Sequence, residues 1–461
     1  MKRIFSVIGK QPWRSYFDIL LGKQKESGLR ANLIRGSAGT FALKIGAVLL
    51  GFALSISLTR LLGSHGYGIY AYAMAWVSIL AIVTSLGMHG MLIREVAIYK
   101  SNADWGHLKG IISFSTRTSL IVSLLLCALG FTAINFWGQD LTVEVRQAFW
   151  VTLLLIPFAA LMRLRQATML GLQHAIYGQL PDMIAKPGLM LIFVWALALA
   201  FHNNINSTDA LILQLVVSIA ILALIMHWLQ QVTGNYIRQE KAIFDGKLWI
   251  TSAIPLFFVE CMQIINSKAD VAMLGALENM RAVGIYSVAV QVSGLVTFIL
   301  ISVNAALSPA IAQLYSKNDF PKLQKIITKS ARLVLFLSLP IALFLLFYGE
   351  WVLKLFGREF PEGYMALAIL VFGQIINAAM GSVGVIMVMT GNEKTVTATF
   401  TIAAFINLTL NAILIPQMGI EGAAIATATS MAIWNIMLML FIRERLGLDA
   451  TALGLLRQSI I

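Results

Sequence analysis

The chain has 461 residues, of which 59% are hydrophobic and only 12% are charged, and its mean hydropathy is +0.82. Soluble domains carry about 25% charged residues, so this composition excludes an ordinary soluble protein and indicates a multi-span membrane protein. The formal net charge is +13, which in a soluble protein would suggest a nucleic-acid partner. In a membrane protein the placement of the basic residues sets the orientation in the membrane, so the positive charge indicates no nucleic-acid partner.

Residues 1–38 form a basic N-terminal segment that mixes aliphatic and aromatic side chains with lysines and arginines. Such a pattern is typical of a helix that lies on an anionic membrane surface. Gly9 and Pro12 interrupt the pattern, and a partly disordered cytoplasmic tail is the alternative. The first apolar run begins near residue 40 and is too long for the core of a signal peptide, so we expect it to be a permanent helix.

About twelve apolar runs are long enough to cross a bilayer as helices, each of which needs about 20 residues. Continuous runs exclude a transmembrane β-barrel, whose strands are short and alternate in polarity. The sequence therefore predicts an all-α integral membrane protein with about twelve transmembrane helices. The predicted spans are residues 40–62, 68–93, 113–137, 148–170, 182–201, 210–230, 249–276, 283–312, 330–356, 364–390, 395–415 and 420–442.

Basic residues concentrate on one side of the predicted membrane. With the N-terminus inside, most of the 34 lysines and arginines fall in inside segments, and we count Arg163, Arg165 and Lys186 among them. The positive-inside rule then predicts that both termini are cytoplasmic. The outside loops carry only Arg60, Arg146, Arg281, Lys354 and Arg358.

The outside turn between the first two spans has the sequence RLLGSHGYGIY, which begins at Arg60. Its three glycines permit a tight turn with little steric restriction, and its two tyrosines suit the aromatic belt at the periplasmic interface. These residues are Gly63, Gly66, Gly68, Tyr67 and Tyr70.

The chain consists of two similar halves. The tripeptide Gly-Ile-Tyr at 68–70 recurs at 284–286, and the pattern at 108–120 recurs at 323–335. Because six spans return the chain to its starting side, the halves have the same orientation and predict two parallel six-helix bundles around a central cavity. The predicted domains are 1–38 (N-terminal segment), 39–230 (first bundle), 231–248 (cytoplasmic linker), 249–443 (second bundle) and 444–461 (cytoplasmic tail).

Two bundles joined by one linker can rock about a site near the midplane of the membrane, which is how repeat-built transporters achieve alternating access. The architecture therefore indicates transport. The alternatives are a rigid membrane scaffold or a membrane enzyme such as a glycan polymerase or ligase. The outside loops are short, whereas polymerases usually need a sizeable periplasmic loop, which counts against the enzyme.

The turn at Arg60, followed by SLGMHGMLIREVA from Ser85, resembles the signature of Wzx-type oligosaccharide flippases. These are the polysaccharide transporters of the multidrug/oligosaccharidyl-lipid/polysaccharide exporter superfamily. Gly87, Gly90 and Arg94 match the family's glycine-containing stretch that runs into a basic residue. The similarity in length, span number and parallel halves extends over residues 36–445. The drug antiporter branch of the superfamily shares the architecture but not this turn.

The resemblance implies a multi-pass protein of the bacterial inner membrane. Such a protein flips undecaprenyl-diphosphate-linked oligosaccharide repeat units from the cytoplasmic to the periplasmic leaflet, for O-antigen, capsule or exopolysaccharide synthesis. Its partners would be the lipid-linked glycan and the bilayer, with the glycan polymerase and chain-length proteins as further candidates. The alternative function is a multidrug or small-molecule antiporter, coupled to a cation, of the same superfamily.

A diphosphate cargo needs a cationic path, because a charge exposed to hydrocarbon is costly. Lys44 lies about one turn into the first span and is a candidate for this path; the alternative is that it snorkels to the cytoplasmic surface. Arg60 and Arg117 are further candidates for substrate binding, at span ends where cations are ordinary.

Span 7 is the most polar, and its apolar content is low for a lipid-facing helix, so we expect it to line the cavity. Lys268 and Glu260 are eight residues apart, about 80° around a helix, and can border one cavity without forming a close pair. We interpret Lys268 as a cation for the diphosphate or an acidic sugar, and the carboxylates as coupling-ion or proton sites. The alternative is a set of internal salt bridges between spans. The polar residues of this span are Glu260, Gln263, Asn266, Lys268 and Asp270.

No enzymatic or cofactor motif is expected in this chain. A phosphate-binding G-x-x-x-x-G-K-[ST] loop is absent from the sequence, so we do not expect ATP hydrolysis to drive transport. The two cysteines, Cys127 and Cys261, lie within apolar runs and form no disulfide framework or metal motif. No cofactor or metal is predicted, and coupling to a proton or sodium gradient stays open.

Overall fold

The computed structural model of the chain describes residues 29–138, 141–202, 205–237, 240–452 and 454. The regular elements within these ranges are all helical, which confirms the predicted all-α class. Residues 1–28 of the predicted N-terminal segment 1–38, and residues 453 and 455–461 of the predicted tail 444–461, lie outside the described residues.

We number the α-helices in chain order. A π-helical turn lies at Pro181–Ala185, and a 3-10 turn lies at Phe360–Gly363. The α-helices are α1 (Leu29–Ser85), α2 (Met88–Ser101), α3 (Trp105–Trp137), α4 (Val143–Gly171), α5 (Ala175–Leu180), α6 (Lys186–Ala200), α7 (Ser207–Ile237), α8 (Gly246–Leu277), α9 (Met280–Ser316), α10 (Phe320–Lys354), α11 (Tyr364–Met380), α12 (Val383–Met389) and α13 (Glu393–Leu446).

Ten helical segments of the described chain are long and apolar enough to cross a membrane. Two of them, α1 and α13, are broken at Gly63 and Gly419, whose φ angles of +68° and +56° are left-handed and suit a residue without a side chain. Each break makes two spans, so the described residues contain twelve, as predicted. We call the end of the bundles at Gly63 and Gly419 the outer end, and the opposite end the inner end, following the predicted orientation.

Two helices begin well before their apolar runs. α3 starts at Trp105 and α10 at Phe320, two turns or more before the predicted spans. Asp104 caps α3 by accepting a hydrogen bond from the His107 amide at 3.1 Å, and Asp319 caps α10 by accepting one from the Lys322 amide at 3.2 Å. These bonds satisfy free amides of the first turn. The His107 amide lowers the pKa of Asp104, and the Lys322 side chain lowers the pKa of Asp319.

The two halves pack against each other through close backbone contact between α1 and α9. A Cβ at Gly68 would overlap the Met280 carbonyl oxygen, and a Cβ at Gly284 would overlap the Ser64 carbonyl oxygen. The repeated glycine therefore serves the same purpose in both halves, because it lets the two backbones touch. This contact supports the arrangement of two bundles related by the internal repeat, while the predicted domain boundaries stay a prediction.

The predicted position of the two tyrosines in an interfacial belt is wrong. Tyr67 and Tyr70 are both buried. The Tyr67 hydroxyl lies 3.3 Å from the Ser55 hydroxyl, and the Tyr70 hydroxyl donates to the Gln214 side-chain oxygen at 3.2 Å. Because a buried phenol needs a hydrogen-bond partner, these two residues connect helices within the protein instead of anchoring it in the interface.

Side chains tie the bundles together at the outer end. Arg60 donates from Nε to the Leu355 carbonyl oxygen at 2.8 Å, and the Ser64 hydroxyl donates to the Glu359 carboxylate. The Ser64 bond, together with the charge of Arg281, lowers the pKa of Glu359. The carboxylate therefore stays ionised, and keeps this contact, to a lower pH than an isolated glutamate would.

Candidate functional cavity

A cavity of about 300 Å³ lies between the first bundle and α8, the first helix of the second half. Helices α1, α4 and α7, the segment from α5 to α6, and α8 each contribute side chains to it. Its walls combine apolar and polar groups, as ligand pockets usually do. The lining residues are Met74, Val77, Ser78, Ala81, Ala159, Met162, Arg163, Gln166, Gly178, Pro181, Asp182, Lys186, Ile225, Ile264 and Lys268.

Three cationic side chains from three different segments line this cavity. Arg163 comes from α4, Lys186 from the start of α6 and Lys268 from α8. Asp182 is the only acidic residue of the lining. Among the described residues, Lys268 has no carboxylate within ion-pair distance, so its charge is available to a ligand. Arg163 and Lys186 each have a carboxylate within ion-pair distance, so the uncompensated charge of the lining is that of Lys268, which suits the cavity to an anion.

Arg163 forms an ion pair across the gap between the halves. One of its terminal nitrogens lies 3.1 Å from the Glu260 carboxylate on α8. Of the two interpretations of Glu260, a coupling site or an internal salt bridge between spans, this geometry favours the salt bridge. Lys268 lies eight residues further along α8, about 12 Å along the helix axis, so the two cations mark different levels of the cavity.

The π-helical turn in the fifth span places a charged pair at the cavity wall. Pro181 lacks an amide hydrogen and cannot continue a regular helix, and local widening of the helix is the usual response. Asp182 and Lys186 follow on the same face, with Lys186 Nζ 3.5 Å from the Asp182 carboxylate. Pro181, directly before the predicted span 182–201 and followed by Asp182, is the sequence signal that could have revealed this feature.

Three basic residues that the positive-inside count assigns to inside loops lie in helices instead. Arg163 and Arg165 lie within α4, and Lys186 lies in the continuous helical segment that begins at Ala175. All three are partly or fully buried, in contrast to the cytoplasmic loops in which the count places them. The predicted span 148–170 already contained the two arginines, so their presence inside a span was a signal that the count ignored.

Asp270 is buried away from the cavity. Its carboxylate accepts hydrogen bonds from the Tyr286 hydroxyl at 2.7 Å and from the Val271 amide at 2.8 Å, and the Thr427 hydroxyl lies 3.4 Å away. Only 3% of Asp270 is exposed, and none of the described basic side chains lies within ion-pair distance of it. A carboxyl group in this position can bind a proton or a small cation.

The other predicted site residues are not brought together. Lys44 is half-buried in α1 and does not line the cavity. Arg60 belongs to the outer-end contacts, and Arg117 is exposed on α3. Gln263 is exposed on α8, whereas Asn266 donates to the Phe400 carbonyl oxygen at 3.2 Å and so joins α8 to α13. Their roles in substrate binding or coupling stay predictions.

Two family models match the chain. The model for "Polysaccharide biosynthesis protein" matches residues 33–315, which is more than half of the chain. The "MatE" model matches residues 255–413. The first match covers the whole first bundle and both repeats of the Gly-Ile-Tyr motif.

Curated relatives cover nearly the full length. The "Capsular polysaccharide biosynthesis protein CapF" of Staphylococcus aureus is 22% identical, over 85% of this chain and 94% of its own. The "Putative O-antigen transporter" of Shigella flexneri is 25% identical, over 83% of this chain and 89% of its own.

Solved structures show the same fold. "Lipid II flippase MurJ, inward closed conformation" matches with a TM-score of 0.69 at 16% identity, covering 89% of this chain and 87% of its own. An inward-facing multidrug resistance MATE family transporter matches with a TM-score of 0.70 at 15% identity, covering 87% and 94%. The fold alone does not separate these two kinds of transporter, but the family model does: the chain belongs to the polysaccharide biosynthesis protein family.

Proposed function

We propose that this protein is a flippase that moves undecaprenyl-diphosphate-linked oligosaccharide repeat units from the cytoplasmic to the periplasmic leaflet of the bacterial inner membrane. It acts by alternating access, as a transporter and not as an enzyme, and supplies O-antigen, capsule or exopolysaccharide synthesis. The observation that carries the proposal is the convergence of Arg163, Lys186 and Lys268 on one cavity between the two halves.

The diphosphate is the part of the cargo that most needs protein contact. It carries about two negative charges, and moving such a group through hydrocarbon without compensation would cost many kcal/mol. In our proposal Lys268, Lys186 and Arg163 replace its hydration. At about 300 Å³ the cavity is at the lower end for ligand pockets, so the halves must separate further to admit the glycan.

Coupling is proposed to occur at Asp270, which lies in the second bundle outside the cavity. Binding of a proton or a sodium ion would neutralise a carboxylate that is held by Tyr286 and Thr427, on two different helices. Such neutralisation would change the packing between α8, α9 and α13, and so bias the two access states. The further proposed partners are the glycan polymerase and the chain-length proteins.

The second candidate is a multidrug antiporter, which the MatE match over residues 255–413 favours. Drug antiporters commonly carry cationic compounds, and the one uncompensated charge of this cavity, on Lys268, is positive and disfavours these. Relatives named for capsular polysaccharide and O-antigen also favour the glycan substrate.

Deletion of the gene in the source bacterium tests the proposal. The expected result is loss of the surface glycan, together with accumulation of its undecaprenyl-diphosphate-linked repeat unit, identified by mass spectrometry. Complementation with the intact gene should restore the glycan. A normal surface glycan combined with increased drug sensitivity would contradict the flippase and favour the antiporter.

A further inference from the structure

A second cavity, of about 260 Å³, lies between α3, α4 and α7 on the lipid-facing side of the first bundle. We call it the outer cavity because it faces away from the central cavity; it lies near the inner end of the bundle. Its polar lining includes Lys109, Ser113 and Arg165, and none of its lining residues is acidic. Arg163 and Arg165 are two residues apart, about 200° around a helix. They therefore point to opposite sides of α4, Arg163 into the central cavity and Arg165 into this outer cavity.

Arg165 is a buried cation without a counter-charge. Only 8% of it is exposed, and no described carboxylate lies within ion-pair distance. One of its terminal nitrogens donates to the Thr116 hydroxyl at 2.7 Å, but its Nε has no hydrogen-bond partner. Since buried charges are normally paired, the structure indicates that an anionic group belongs beside it.

The second bundle shows what fills the corresponding groove. By the internal repeat, Gln324, Thr328 and Arg332 of α10 correspond to Lys109, Ser113 and Arg117 of α3. The chain's own segment 449–452 lies along these residues. The Asp449 carbonyl oxygen accepts a hydrogen bond from Gln324 Nε2 at 2.7 Å, and the Ala452 carbonyl oxygen accepts one from Arg332 Nε at 2.9 Å. The groove in the second bundle is therefore occupied by hydrogen-bond acceptors.

In the first bundle the corresponding segment stops short of this position. Among the described residues between α7 and α8, the hydrogen bonds to α3 lie at its beginning, where Lys109 Nζ donates to the Glu240 carbonyl oxygen at 2.8 Å and the Ile243 amide donates to the Gly106 carbonyl oxygen at 3.1 Å. Beyond that point Ser113 lines the cavity and Arg117 is exposed. Beyond Lys109, none of the described residues of the first bundle supplies a carbonyl oxygen like that of Ala452 in the second bundle. The first bundle also has more positive charge at this site, because Lys109 stands where the second bundle has Gln324.

An apolar surface continues from the outer cavity along the helices. On α3, Lys109, Ser113, Arg117 and Ile121 follow one another at four-residue spacing and so lie on one face. Ile121 is exposed, as is Met226, which lines the cavity from α7. α3 becomes mostly apolar just after Arg117, so the cavity lies at the level where lipid head groups meet hydrocarbon.

We propose that this outer cavity binds the phosphate of an anionic membrane phospholipid. Arg165 Nε and Lys109 would donate to the phosphate oxygens, and the acyl chains would lie on the exposed faces of α3 and α7. This site is separate from the proposed transport path, and its occupancy does not depend on the transported substrate.

Native mass spectrometry of the full chain in detergent, titrated with dioleoylphosphatidylglycerol, tests the proposal. Arg165→Gln and Lys109→Gln should each weaken the first lipid-binding event by about tenfold or more, because each removes a charge-assisted hydrogen bond. Lys109→Gln installs the residue type of the repeat partner Gln324 and should fold normally. Lys325→Gln, which removes an exposed charge from α10, should bind the lipid as the wild type does.

Four results would overturn the assignment. Equal lipid binding by all four proteins would show that the outer cavity is not the site. Equal binding of dioleoylglycerol, which lacks the phosphate, would show that head-group charge is not recognised. Displacement of the lipid by an equal concentration of inorganic phosphate, or tighter binding of undecaprenyl diphosphate to the same residues, would assign the cavity to a different phosphate source.

Discussion

Lys268 faces the central cavity without an ion pair among the described residues, and it was the one residue of this cavity identified from the sequence. An isolated lysine in a transmembrane span is costly, and this cost is visible in the sequence. Arg163 and Lys186 were missed because hydropathy alone does not distinguish a cation at a cytoplasmic rim from one that lines a buried cavity. The distinction depends on which helices surround the side chain, and that is set by tertiary packing.

Replacing Lys268 tests whether its charge contacts the cargo. Lys268→Ala should lower surface-glycan export about tenfold or more at equal protein level, because it removes a charge-assisted contact of about 1.5–3 kcal/mol. Lys268→Arg keeps the charge and should retain most export. Export is measured by quantifying surface glycan in a deletion strain that carries each variant. Equal export by all versions would make Lys268 structural only.

Replacing Asp270 tests the proposed coupling to an ion gradient. Asp270→Asn keeps a hydrogen-bond acceptor for Tyr286 but removes the titratable charge, so the protein should fold while transport loses its dependence on an imposed proton or sodium gradient. Tyr286→Phe, which retains the carboxyl group, should keep that dependence. Transport rates in proteoliposomes with and without each gradient provide the measurement. Unchanged gradient dependence in Asp270→Asn would exclude Asp270 as the coupling group.

The spans were predictable because about 20 apolar residues form a strong and continuous signal. Helix starts were less predictable: α3 and α10 begin two turns or more before their apolar runs, since a helix outside the membrane needs only its own hydrogen bonds and a cap such as Asp104. The aromatic residues of the first turn were misplaced, because tyrosines near a span end suit an interface and a packed helix junction equally well. Burial of Tyr70 depends on Gln214, which is distant in sequence.

The contact between Gly68 and Gly284 predicts a large effect from a single methyl group. Gly68→Ala and Gly284→Ala should each destabilise the protein by about 1–3 kcal/mol, the usual cost of overpacking. Gly51→Ala on α1 and Gly294→Ala on α9 are matched controls, because nothing lies within 4 Å of a Cβ at either position. Thermal unfolding of the purified proteins should give lower midpoints for the first pair. Equal midpoints for both pairs would contradict the close packing.

The contacts at the outer end, which link the two halves, must break if the halves rock. Ser64 and Glu359 are hydrogen-bonded across the two bundles, so cysteines at these two positions can be joined by a short bis-methanethiosulfonate, which links them through two reducible disulfides. In a background with Cys127 and Cys261 replaced by serine, the cross-link should stop transport, and reduction should restore it. A single-cysteine variant that receives the same reagent serves as the control. Undiminished transport by the cross-linked protein would contradict opening at this end.

Transbilayer movement of the lipid-linked glycan by the purified protein is the most direct test of the central claim. Proteoliposomes containing an undecaprenyl-diphosphate-linked repeat unit are treated with a membrane-impermeant sugar oxidant, and the protected fraction is followed over time. We predict that the wild-type protein exposes the inner-leaflet glycan and that Lys268→Ala does so about tenfold more slowly. Protection equal to that in protein-free vesicles, under either imposed ion gradient, would contradict the flippase.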